Sequence, residues 1–175
     1  AYGHGSVEVS RALESEGCGD FGVAMVEEGK LLRQAGIRGR ILCLGGVHRG
    51  PQEAVALDLT PVLYDIESAK KLDAVARSQS RTVRIHLKVD TGMGRLGVML
   101  ADWPAFLDRL ANLPNLEVEG LSTHFSDADE NDATFSLQKR ISDDVHYPSS
   151  SPSSLRESLL CLLLDVVWSS SRWDA

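Results

Sequence analysis

Between positions 83 and 90 apolar and polar residues alternate one by one. Val83, Ile85, Leu87 and Val89 fall on one side, and Arg84, His86, Lys88 and Asp90 on the other. A period of two sends successive side chains to opposite faces, so this segment predicts a β-strand with one apolar and one polar face. Elsewhere the period lengthens. Residues 66–77 carry Ala69, Leu72, Val75 and Ala76 at helical spacing, and Trp103, Phe106, Leu107 and Leu110 repeat likewise after Asp102, which reads as a cap. Ser6 reads as the cap of a helix over residues 6–16, stopped by Gly17. Residues 27–35 predict a second helix ended by Gly36, and Pro51 opens a short one over 51–57. Short apolar runs at 21–25, 40–44, 60–64 and 116–123 complete a set of five predicted strands, each preceded by a helix.

Short strands alternating with helices imply right-handed βαβ crossovers and a parallel sheet, hence an α/β fold. Two architectures meet that description, a doubly wound open sheet and part of an eight-fold barrel. The polar face of the 83–90 strand separates them. A central strand of an open sheet is covered by helices on both faces and is apolar throughout. In a barrel only the outer face packs on helices, so Val83, Ile85, Leu87 and Val89 belong outside and the polar set points inward. The expected fold is therefore a partial (β/α)8 barrel of the TIM type, with about five of its eight strands present.

Composition narrows the function classes. The chain has 175 residues, 43% of them hydrophobic and 25% charged, the balance of an ordinary globular domain. A net charge of -7 speaks against nucleic acid as a partner, which calls for a basic face. Cys18, Cys43 and Cys161 are odd in number and contain no CxxC pair. Neither a disulfide framework nor a metal site is expected from them, and a cytoplasmic setting is. The first residues, AYGHGSVEVS, hold neither the basic region nor the apolar run of a signal peptide, so no membrane targeting is expected.

The chemistry concentrates at residues 86–97, HLKVDTGMGRLG. The strand carries His86, Lys88 and Asp90 on one face and runs into a bend with Gly92, Gly94 and Gly97, inside which stands Arg95. Glycines there allow a tight turn or a close approach to a ligand. Asp90 and Thr91 read as supports of the turn, His4 and Gly5 as residues that shape the loop into the first helix. A plainer reading makes the 83–90 segment an edge strand with a solvated polar face. GMGRLG also matches G-x-G-x-x-G, with Glu117 downstream. The dinucleotide fingerprint, however, opens a helix at once, so that the pyrophosphate meets free N–H groups. Here the next predicted helix begins only near Asp102.

HLKVDTGMGRLG, together with AYGHG at Tyr2, FGVAMVEEG at Phe21, ILCLGG at Ile41 and GLSTHFSDADE at Gly120, resembles alanine racemase, and the likeness runs in series from Ala1 to about Lys139. The resemblance implies an isomerase that uses pyridoxal 5'-phosphate, built on an N-terminal α/β barrel and working as a homodimer on alanine to supply D-alanine for peptidoglycan. It implies that Lys88, often carbamylated in the family, holds Arg95. Arg95 in turn would bond the cofactor's phenolic oxygen and the substrate carboxylate. Tyr2 would lie near the cofactor phosphate, and His124 would orient an arginine beside the pyridine nitrogen. The implied mechanism is a two-base racemisation, one base being a Schiff-base lysine and the other a tyrosine of the partner subunit. A serine-specific or broader amino-acid racemase fits the same motifs.

Two departures from the family pattern shape the expectation for this chain. The sequence begins at AYGHG, past the position of the Schiff-base lysine, and the pattern stops near Lys139. Residues 1–145 are thus expected to form a partial barrel domain and residues 146–175 an atypical tail, rich first in serine and proline and then in leucine. A fragment of a racemase, inactive and marginally folded by itself, is the leading expectation. The alternative is a non-catalytic barrel remnant or a pseudoenzyme that binds pyridoxal phosphate.

Overall fold

Every helical period in the sequence is a helix in the computed structural model, which describes residues 3–126 and 138. Tyr2 and the tail over 146–175 lie outside the described residues. The helices are α1 (Ser6–Ser15), α2 (Val26–Gln34), α3 (Pro51–Ala56), α4 (Ile66–Ser78) and α5 (Trp103–Leu110). The strands are β1 (Asp20–Val23), β2 (Arg40–Cys43), β3 (Thr60–Leu63), β4 (Val83–Asp90), β5 (Val98–Met99) and β6 (Leu116–Ser122). Five of the six are those the sequence predicts. The sixth, β5, is two residues long and sits in the segment between Gly97 and α5. No described helix is long and apolar enough to cross a membrane.

Helix starts follow the chemistry of orphan N–H groups, though not always through the expected residue. Asp65 Oδ1 accepts from Ser68 N at 2.8 Å and caps α4. Glu28 Oε2 reaches back over the start of α2 to accept from Ala24 N at 2.7 Å and Met25 N at 3.1 Å. Ser6, in contrast, does not cap α1. The cap position is Gly5, at φ +84, and Ser6 is already the first helical residue. Asp102 does hold the cap position of α5, but its side chain makes no capping bond. A 3₁₀ turn, Leu100–Asp102, leads into that helix instead.

All strand pairs are parallel. The sheet runs β1, β2, β3, β4 and then β6, with β5 pairing only the last two residues of β4, Val89 and Asp90. This is a parallel α/β sheet with its helices on one side, the arc of a partial TIM-type barrel. As the alternation requires, Val83, Ile85, Leu87 and Val89 are buried in one core with Ala69, Leu72 and Ala76 of α4 and Phe106 and Leu110 of α5.

The opposite, inner face is concave. Arg40 of β2 pairs with Glu119 of β6 at 3.2 Å, although β3 and β4 stand between their strands. In a flat sheet those strands would be about 14 Å apart, with side chains standing parallel off the surface. The pair closes because the sheet curls, and Asp20 of β1 joins it by accepting from Arg40 Nε at 2.6 Å. His86 of β4 reaches the same layer, its Nε2 3.5 Å from Glu119 Oε1. Gly120 opposes His86 in the β4–β6 register, next to an irregularity at Ile85/His86. A β-carbon on Gly120 would sit 2.6 Å from the imidazole Cε1, so His86 occupies the room that a side chain on β6 would need.

The core makes a direct prediction. Leu72 is fully buried and Leu13 is 46% exposed. Leu72→Ala is expected to destabilise the chain by roughly 2–5 kcal/mol and Leu13→Ala by less than about 0.5 kcal/mol, read as shifts of the urea midpoint at unchanged slope.

Candidate active site

Five strand ends and one bend converge on a cleft of about 360 Å³ at the carboxyl edge of the sheet. Its lining includes Val23 and Ala24 after β1, Gly45 after β2, Lys88 of β4, Arg95 of the bend, and Ser122, Thr123 and His124 at the end of β6. In parallel α/β barrels this edge is where loops carry chemistry. Lys88 gets there because β4 is the longest strand of the sheet and places its even-numbered side chains inward. His124 gets there because β6 pairs in register with β4, Lys88 opposite Ser122, so that two more residues bring the chain to the cleft.

The inner face of β4 is graded in depth. Arg84 is exposed at the amino end, His86 is buried, and Lys88 is half-buried at the floor of the cleft. Burial and, next, the nearby Arg95 guanidinium hold the Lys88 ammonium below the ordinary lysine range, against a smaller opposing pull from Asp90. No ion pair joins Lys88 or Arg95 to a carboxylate among the described residues. The cleft thus brings two basic side chains together with the hydroxyl-bearing residues Ser122 and Thr123.

The bend that carries Arg95 is built rather than loose. Asp90 Oδ1 accepts from Gly92 N at 2.8 Å and from Gly94 N at 3.1 Å. Gly97, at φ +143, lies so close to the end of β4 that a β-carbon there would be 2.4 Å from Asp90 N. Thr91 Oγ1 and Thr123 Oγ1 share a buried hydrogen bond of 2.8 Å, which ties the start of the bend to the residue before His124. Asp90 and Thr91 are thus the turn supports that the sequence suggests. The bend leads into β5 and the 3₁₀ turn, not directly into a helix, so the dinucleotide fingerprint has no helix N-terminus to work with.

Beneath the cleft, Glu119 gathers charge. Burial by itself would raise its carboxyl, but His86, with Nε2 at 3.5 Å, and Arg40 together hold it below the ordinary carboxylate range. Arg84 approaches its other oxygen at 3.9 Å. Sequence reasoning missed Glu119, because a residue displaced by a strand irregularity leaves no mark in the alternation. Lys88, Arg95 and His124, all singled out from sequence, line the one cleft; Tyr2 lies outside the described residues.

Comparison with known proteins agrees with the motifs. Residues 1–146 match the family model described as "Alanine racemase, N-terminal domain". The alanine racemase of Geobacter sulfurreducens is 44% identical over 133 residues, which cover 75% of this chain and 35% of that protein. The crystal structure of alanine racemase from D-cycloserine producing Streptomyces lavendulae superposes with a TM-score of 0.76 at 36% identity, over 82% of this chain and 39% of that one. A histidine racemase from Leuconostoc mesenteroides superposes with the same TM-score, 0.76, at 25% identity, over 88% of this chain and 42% of that one. The chain spans about a third of the length of the curated relatives first matched, 35% and 36%.

Two predictions come from this geometry. Gly97→Ala is expected to disrupt the bend far more than Gly94→Ala, whose β-carbon would meet open space. The Gly94 change is expected to cost about 1 kcal/mol for its positive φ, with the Gly97 cost well above it, by urea unfolding. Glu119, with its carboxyl lowered on folding, contributes stability that is present above the ordinary carboxylate range. That contribution is lost as pH falls through the lowered value. The acid limb of the stability–pH curve is therefore expected to flatten in Glu119→Gln relative to the unsubstituted chain.

Proposed function

Because the chain belongs to the family of the alanine racemase N-terminal domain, we propose that it forms the barrel portion of an amino-acid racemase, with the cleft over Lys88 and Arg95 as the anion-holding side of its active site. The observation that carries this reading is the meeting of Lys88 and Arg95 in one cleft, with Ser122, Thr123 and His124, at the carboxyl ends of parallel strands. The residues fit the family's cofactor in kind: an anionic, aromatic group with a phenolic oxygen needs cations and hydroxyl donors held on a rigid floor. When bound, pyridoxal phosphate supplies the electron sink that makes the Cα proton of an amino acid removable.

The chain's own side chains have separable parts. Arg95 is exposed and its planar guanidinium donates two parallel N–H bonds to a carboxylate or shares them with a phenolic oxygen, orienting substrate and cofactor together. Lys88 holds Arg95 in place. As an ammonium it would repel that guanidinium, which is one reason its proton is held loosely. The free amine can add CO₂: the nitrogen lone pair forms the new N–C bond, a proton leaves to solvent, and a carbamate anion results. A repelling pair then becomes an attracting one, at close to the same geometry. His124 is assigned, on the motif match, to orient an arginine that would lie beside the pyridine nitrogen. Tyr2 is assigned to the phosphate side on the motif match alone.

Alanine is the proposed substrate, since the relative from Geobacter sulfurreducens, 44% identical over the matched residues, is an alanine racemase. The fold likeness to a histidine racemase leaves the substrate pocket, not the barrel, as the determinant of which amino acid is turned over. The further elements of the reading are a homodimer, a cytoplasmic setting, and a racemase unit over 1–145, the last supported by a family match that ends at residue 146. The 175-residue chain by itself is assigned no turnover, because it spans so small a share of its relatives.

The test is direct. The intact protein that carries this sequence is expected to interconvert L- and D-alanine with pyridoxal phosphate present. Arg95→Ala is expected to lower kcat/KM on the order of 10²–10³-fold, as loss of one preorganised charged donor does. No interconversion by the intact protein, or an Arg95→Ala variant as fast as the parent, would sink the reading. For Lys88, ¹³C-bicarbonate is expected to give one slowly exchanging carbamate resonance that Lys88→Arg abolishes.

A further inference from the structure

We infer that Gln138 is a positioning residue that clamps the Arg95 bend against the end of β6, so that Arg95 and His124 face the cleft in a fixed relation. The inference rests on the reading of Arg95 as the anion-holding side chain. Gln138 is 3% exposed although the residue it bonds, Ser126, is on the surface. Its Oε1 accepts twice from Ser126, from the backbone N at 3.0 Å and from Oγ at 3.2 Å. Its Nε2 lies against the bend, where a β-carbon on Gly92 would come within 2.9 Å of it. One amide side chain therefore touches both segments that frame the cleft: the bend holding Arg95, at Gly92, and Ser126, the second residue after His124.

This contact completes a three-point fixation. Asp90 fastens the bend to its own strand through Gly92 N and Gly94 N. The Thr91–Thr123 hydroxyl pair fastens its first residue to β6. Neither of these reaches beyond Thr123. Among the described residues, Gln138 is the one that spans from Gly92 to Ser126, past His124. It does so with a group that is fully committed: an amide oxygen with both lone pairs taken and a nitrogen pressed on a residue that has no side chain to push it away. Glycine at position 92 is thus required twice, for its φ of +131 and for the space that Gln138 fills.

The clamp predicts coupled behaviour that a local peg would not show. In Gln138→Met, which keeps volume but removes the acceptor, the amides of Gly94, Leu96, Gly97 and Ser126 are expected to exchange with solvent about tenfold faster. Amides of β1 to β3 are expected to stay unchanged. With the bend loosened, Arg95 moves off Lys88, and the Lys88 Cε resonance is expected to titrate nearer the ordinary lysine range than in the parent chain. Gln138→Glu, which keeps an acceptor for both Ser126 bonds, is expected to restore the protection of Ser126 and of the bend. Faster exchange at Ser126 alone, with the bend and the Lys88 titration unmoved, would overturn the proposal. Should the Met variant unfold, Ser126→Ala removes one of the two bonds at an exposed site. It must then speed exchange in the bend about threefold, and no change there overturns the clamp equally. None of these readouts needs the cofactor, so a failure here is distinct from a failure of the racemase reading.

Discussion

The pairing of β4 with β6 is the constraint on which the rest of the molecule depends. It runs from Val83↔Leu116 to Lys88↔Ser122 and carries one irregularity, between Ile85 and His86. Because side chains on a strand alternate, slipping this register by one residue would move Lys88 to the helix side and Leu87 into the lumen. The same register sets where β6 ends relative to β4, and so where Thr123 and His124 stand relative to Lys88. Core and cleft are thus two readouts of a single alignment. The apolar side is held by α4 and α5, the polar side by Glu119 and its partners.

Charge inside the arc follows a vertical order. At the bottom, carboxylates and guanidinia neutralise one another: Asp20 with Arg40, Arg40 and Arg84 with Glu119. Higher up, Lys88 and Arg95 have no such described counterpart. Paired charges in a partly buried layer restrict geometry, and basic side chains gathered in a cleft at the carboxyl edge of the sheet mark a candidate site. The transition falls between His86 and Lys88, two residues and one turn of the pleat apart.

Much of this was legible in the sequence, for reasons that differ by element. Period two in 83–90 and period 3.6 in 66–77 are strong because burial on one side is complete, as at Ile85, Leu87 and Leu72. The placement of Lys88 and Arg95 in a common cleft was readable from strand polarity followed by a glycine bend, while the roles proposed for them rest on resemblance. What could not be read depends on contacts distant in the chain. β5 is two residues long and has no period. Gly5 displaces Ser6 from the cap position by virtue of a backbone angle. Glu119 owes its place to a strand irregularity, and Gln138 gains a role only when residues 92 and 126 are brought together.

His86 and Gly120 form a complementary pair across β4 and β6. The imidazole of one fills the space that the other's missing side chain leaves. Neither residue can therefore change freely while its neighbour stays the same. A lineage that enlarged position 120 would first have to shrink position 86, and one that lost the imidazole would leave a hole beneath Lys88. Two positions far apart in the gene, on different strands, are in this way inherited as one trait, and descent through this barrel is expected to record them changing together or not at all.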